Sequence, residues 1–285
     1  MTNQDLISGR SWPSFWRMLA LVAGLWAGLT QAEEATPLPA PLEMGSRLNS
    51  AATDIRVIEP HLSVKQPTAV TYRGWPAKAV LDSVLGKGWR AKGVDVEVRA
   101  LDGYVSRIPN QRFERYQAYF VSEIVGQSLF EVDNLEQNEK RIPLGPWYLV
   151  WDNTQSAALQ AEGGTYWPYQ AAQVRISTER QKALMPPRLA VSWQSASELT
   201  HQHCLSCHRA NGFGGDKKPI DLAEVVRGMR QNEFTRWVLS PSRIKPDTTM
   251  PALQPRLDPA ARERSAREIY RYLRALSAAT DGTKH

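Results

Sequence analysis

The sequence predicts a two-domain α+β protein, in which a β-rich N-terminal domain is followed by an all-α C-terminal domain. Three observations lead there. Short runs of β-branched and aromatic residues recur between residues 54 and 176, at lengths that suit strands. Beyond Leu189 the apolar residues recur at helical spacing instead. Between the two regions, Met185-Pro186-Pro187-Arg188 carries a proline pair that ends any regular element and stiffens the joint.

The elements follow in chain order. Arg10 and Arg17 form a basic start, Met18 to Leu29 is apolar, and Thr30-Gln31-Ala32 supplies small residues. This is the pattern of a secretory signal peptide over residues 1–32, cut after Ala32. The apolar run is 12 residues, short of the ~20 that span a bilayer. A retained anchor is the alternative, and membrane contact is expected only in that case. No Arg-Arg pair occurs, so the general export route to the periplasm is expected. Residues 33–53, opening with Pro37, Pro39 and Pro41, read as a flexible leader.

A β-rich domain of unassigned role is expected over residues 54–184. Its strands are Asp54 to Ile58, Val94 to Leu101, Tyr119 to Ser122, Trp147 to Trp151 and Ala172 to Ile176. A helix is expected from Pro76 to Leu85, ended by Gly86. Asp102-Gly103 is a hairpin turn signal. Trp147, Tyr148, Trp151, Tyr166, Trp167 and Tyr169 crowd one stretch and read as core, with an interface or ligand groove as the other use. After a linker at 185–189, residues 190–285 read as helical. Ser192 to Cys204 is one helix, and Asp221 to Leu239 is mostly another. The last begins at Asp258-Pro259, with Ile269, Leu273 and Leu276 on one face.

Charge is uneven. Residues 33–189 carry 18 basic and 18 acidic side chains, and residues 190–285 carry 15 and 10. The excess therefore sits on the C-terminal part. It fits a solvated surface, and it also fits docking to an acidic partner through complementary fields. Nucleic acid is not expected as a partner, because an exported chain rarely meets it and the arginines alternate with acids.

Cys204-Leu205-Ser206-Cys207-His208 is the most informative stretch, and it uses both cysteines of the chain. C-x-x-C-H is the attachment signal of a c-type haem. Two thiols on one helical turn can each bond a vinyl group of one porphyrin, and the adjacent histidine then lies under the iron. Three other uses stand beside it. A redox dithiol would follow a strand, a zinc site could draw on His201, His203, Cys204, Cys207 and His208, and a buried pair could be structural. Export favours haem, since covalent attachment takes place outside the bacterial inner membrane.

The region Ala190 to Ala279 resembles class I c-type cytochromes. A helix precedes C-x-x-C-H, the glycine-rich Asn211-Gly212-Phe213-Gly214-Gly215 follows, Met250-Pro251 comes later, and a helix with Tyr270-Arg271-Tyr272-Leu273 closes the chain. The resemblance implies an all-α cytochrome c domain with one covalent haem c. Cys204 and Cys207 would hold the porphyrin, and His208 and Met250 would be the axial iron ligands. Met250 also suits that role chemically, as a soft thioether in a proline-bracketed loop that can reach the face opposite His208. Met229 falls in an apolar helical pattern and reads as core. Lys217 and Lys218 could pair with haem propionates, and Phe213 and Trp237 could pack on the porphyrin; solvated lysines and core aromatics are the simpler uses.

In the first domain, Arg99-Ala100-Leu101-Asp102-Gly103-Tyr104 and Tyr166-Trp167-Pro168-Tyr169 resemble the core of sulfite-oxidase-like molybdopterin domains. Those enzymes bind molybdenum through a cysteine thiolate, and no cysteine precedes Cys204. The expected function is a periplasmic monohaem electron carrier working between redox protein partners. The alternative is the haem-bearing subunit of an oxidoreductase of the sulfite dehydrogenase type, its first domain binding substrate or a catalytic subunit.

Overall fold

A computed structural model of the chain describes residues 34–281. The expected signal peptide lies outside the described residues. Among the described residues no helix is long and apolar enough to cross a membrane. Among the described residues, 35–281 cluster as one compact unit.

Two four-stranded antiparallel sheets build the N-terminal half. One runs Thr36–Pro37, Ala171–Ser177, Asp95–Ala100, Val105–Pro109. The other runs Thr53–Ile58, Ala69–Pro76, Ala118–Ile124, Tyr148–Trp151. They meet at a bridge between Trp147 and Ala171. A separate hairpin pairs Glu131–Asn134 with Glu139–Pro143. All five strands expected from sequence fall on observed strands. The expected helix is Ala77–Leu85, with Pro76 as its N-cap.

Of the expected leader, residues 34–53 are described, and they are not free. Thr36–Pro37 pairs with the edge of the first sheet, and Pro41–Leu48 is a helix. Both prolines stand where proline is tolerated, Pro37 on an edge strand and Pro41 in a first helical turn. Leu38 and Met44 are buried in the core.

The aromatic crowd is core. Trp147, Tyr148, Trp151 and Trp167 are buried, and Tyr166 and Tyr169 pack against them. The buried Glu59 side chain accepts hydrogen bonds from Tyr72 Oη at 2.6 Å and Tyr148 Oη at 3.1 Å, so this polar group has partners inside an apolar surround.

A second hydrophobic core spans Leu184 to Leu276. Its axis is the long helix Pro259–Asp281. Asp258 caps that helix, its Oδ1 accepting from Ala261 N at 2.9 Å. Ile269, Leu273 and Leu276 are buried, as their common face requires. The 185–189 segment is packed rather than loose: Leu184 and Leu189 both belong to this core, and Tyr272 Oη donates to Leu184 O at 2.7 Å.

The expected fold class is corrected here. The chain is mixed α/β, with twelve strands in four sheets and ten α-helices among the described residues. Its C-terminal part contains a long helix but is not an all-α cytochrome c domain. Arg209–Ala210 and Phe213–Gly214 form a two-stranded hairpin. Asn211 and Gly212 connect them with φ of 51° and 74°, the doubly positive conformation that an Asn-Gly hairpin turn demands. The stretch expected as one helix from Asp221 to Leu239 is broken into Leu222–Gly228 and Gln231–Leu239. Met229 lies in the break with extended backbone.

Candidate functional site

The helix Gln194–Cys204 delivers the first thiol at its last residue. The chain then makes one further turn, with Cys207 N and His208 N both donating to Cys204 O, at 3.4 and 3.0 Å. Cys204, Cys207 and His208 are thus brought together on a single turn. The glycine-rich loop holds that turn from behind. Gly215 N is shared between Leu205 O at 2.9 Å and His208 O at 3.0 Å. A Cβ on Gly215 would stand 1.9 Å from Ser206 O, and one on Gly214 would stand 2.0 Å from His208 O. Only glycine permits such approach.

His208 Nδ1 lies 3.0 Å from Lys218 O. A carbonyl only accepts, so Nδ1 carries the proton and Nε2 keeps its lone pair. This is the arrangement that orients a metal-binding imidazole. Burial holds the His208 pKa below its ordinary value, which favours the neutral ring.

Both thiols are free and half-buried. Burial and the neighbouring Cys207 push Cys204 up to about 12. Burial pushes Cys207 up to about 11. Both are therefore protonated at neutral pH, unlike the low-pKa thiolates of redox dithiols. The other zinc candidates do not converge. His201 is buried beside Phe213, and burial with Arg180 and Arg107 drives its pKa down to about 3. His203, lowered by burial to about 4, has its Nε2 3.2 Å from Gln254 Nε2. Among the described residues no group of three His, Cys, Asp or Glu could hold a metal ion.

Met250 sits in the irregular segment between Pro241–Ile244 and Pro259–Asp281. It packs half-buried against the same core as Cys204, and its N–H donates to Thr248 Oγ1 at 3.2 Å. Phe213 is buried core, and Trp237 is half-buried on its helix. Lys217 is committed to an ion pair with Asp102 at 2.8 Å. Burial alone would depress its pKa, but Asp102 and its neighbours outweigh burial and raise it.

Sequence reasoning missed how the N-terminal half grips this turn. Val105 N donates to Ser206 O at 2.9 Å, and Asp216 N donates to Gly103 O at 2.8 Å. The Asp102-Gly103 turn was legible, with Gly103 at φ 86°, but its seat against the motif was not. Gly103 is needed twice, since a Cβ there would lie 3.0 Å from Lys217 N. Two residues from this contact, Arg107 is buried, pairs with Glu97 at 2.7 Å and lies 4.2 Å over the Phe213 ring. Burial, followed by Cys207, raises the Tyr104 pKa.

The chain matches no family model, no curated protein and no solved structure.

Proposed function

We propose that the chain is an exported electron carrier of one covalent haem c, which Cys204 and Cys207 would attach and whose iron His208 and Met250 would hold. The observation that carries this reading is the His208 Nδ1 contact to Lys218 O, on the same turn as two free thiols. It leaves Nε2 as a donor set beside two attachment points. Haem, when bound, supplies a one-electron ferric/ferrous couple.

The protein's own residues do the rest. The Gly214-Gly215 wrap and the Lys218 carbonyl fix the imidazole plane. Met250, as a neutral thioether, would favour the reduced metal and raise the potential. With both His208 and Met250 holding the iron, no position would be left for substrate, which suits transfer rather than catalysis. The N-terminal half is proposed as a redox-silent support that holds the attachment turn through Gly103 and Val105. Partner choice rests on the basic excess of residues 190–285. Arg236, Arg243 and Lys245 are exposed on the elements leading to Met250, a surface suited to an acidic redox protein.

The test is the optical spectrum of the purified exported protein. The reading expects a long-wavelength thioether–iron charge-transfer band in the oxidised form and negligible carbon monoxide binding in the reduced form. Rapid carbon monoxide binding would show an open iron position and favour an oxidoreductase instead.

A further inference from the structure

We propose that Arg256 is the positioning residue through which the N-terminal half fixes the Met250 loop. The inference rests on the haem reading above. It concerns the segment that carries Met250, the second iron ligand of that reading.

Met250 needs support that its own segment does not provide, because no regular element lies between Ile244 and Pro259. A ligand on such a segment binds only as well as the segment is ordered, since ordering entropy opposes ligation. Three anchors follow Met250. Leu253 is buried in the C-terminal core, and its N–H donates to Val238 O at 2.7 Å. Gln254, with φ at 44°, turns its side chain to His203 on the helix that carries Cys204. Arg256 then reaches out of the C-terminal core into the N-terminal half.

The socket for Arg256 is built from three separate segments. Nη1 donates to Gln160 O at 2.6 Å, and Nη2 donates to Pro60 O at 3.0 Å and Glu136 Oε1 at 3.1 Å. The side chain is only 25 % exposed. Gly163 makes room for it: a Cβ there would stand 3.2 Å from the guanidinium carbon. Two carbonyls and a carboxylate around one planar fork match a guanidinium and not an ammonium. The N-terminal half therefore holds both sides of the site, the attachment turn through Gly103 and Val105, and the thioether loop through Arg256.

The experiment compares the full chain with its Arg256→Ala variant, both carrying haem. Imidazole is titrated against the oxidised protein, and loss of the thioether–iron band is followed. Arg256→Ala should lower the imidazole concentration needed by about tenfold or more, the equivalent of losing one or two net hydrogen bonds. The reduction potential should fall, and Arg256→Lys should recover only part of the loss. An unchanged imidazole midpoint would overturn the proposal. A second arm needs no haem. In a chain carrying Cys204→Ala and Cys207→Ala, adding Arg256→Ala should speed amide exchange at residues 250–258 by about tenfold, and equal exchange would likewise overturn it. A parent protein without covalent haem or without the thioether band would instead refute the haem reading itself.

Discussion

Gly215→Ala tests the wrap around the attachment turn, and its cost can be worked from geometry. The new methyl would stand 1.9 Å from Ser206 O, 2.6 Å from Ser206 C and 3.2 Å from Cys207 N. These are backbone atoms and cannot rotate away. Ser206 O is also held by Val105 N, so the turn is fixed from the far side. The loop must retreat by about 1.5 Å to bring 1.9 Å up to the 3.4 Å at which ordinary contact begins. That displacement stretches the shared bonds from Gly215 N to Leu205 O and His208 O. Losing two net hydrogen bonds at ~1 kcal/mol each, with ~1–2 kcal/mol of overpacking, gives about 3–4 kcal/mol. For a chain of this size that lowers the melting temperature by roughly 10 °C. Gly228→Ala is the control, because nothing lies within 4 Å of its Cβ position, and its effect should stay within about 1 kcal/mol. Thermal unfolding followed by far-ultraviolet circular dichroism measures both. A loss at Gly215 no larger than at Gly228 would refute the tight wrap.

Asp258→Ala should cost about 1 kcal/mol, since the cap bond to Ala261 N is lost; urea denaturation reads it directly. Arg107→Ala should cost about 3 kcal/mol, at the low end for a broken buried pair, because Glu97 keeps Arg99 and Arg175; a loss under half of that in urea would show that the pair with Glu97 does not stabilise this contact. His201 and His203 are depressed to about 3 and about 4 in the fold, so the unfolded chain binds more protons between these values and about 6.5. Stability should therefore fall as pH drops below 6.5, by on the order of 2 kcal/mol per histidine at pH 5. His201→Gln should remove roughly half of that slope, and an unchanged slope in a pH series of urea melts would contradict the buried neutral ring.

Local chemistry was legible in the sequence, and long-range placement was not. The Asp258 cap, the shared face of Ile269, Leu273 and Leu276, and five of the ten strands of the N-terminal half all follow from periods and caps that act within a few residues. The Asn211-Gly212 pair carried a hairpin signal as clear as Asp102-Gly103, and reading it only as a glycine-rich loop left this hairpin out of the all-α expectation. Gly228 and the extended Met229 likewise split a helix whose apolar pattern ran on unbroken. The proline-rich start was read as loose, although Pro37 and Pro41 stand where strand edges and helix starts accept them. For the site, the thiols, imidazole and thioether were visible as residue types at telling spacings. The contact of Val105 with Ser206 and the socket of Arg256 join residues about a hundred positions apart. No local pattern encodes such pairings, because each partner is ordinary in its own neighbourhood.

The central claim is that this chain carries haem through two thioether bonds. The most direct measurement is the intact mass of the purified exported protein under denaturing conditions, beside the Cys204→Ala, Cys207→Ala double variant. The account predicts the mass of the mature chain plus one haem for the parent, and the chain alone for the variant. A parent protein with no added mass, or a variant that keeps it, would contradict the account.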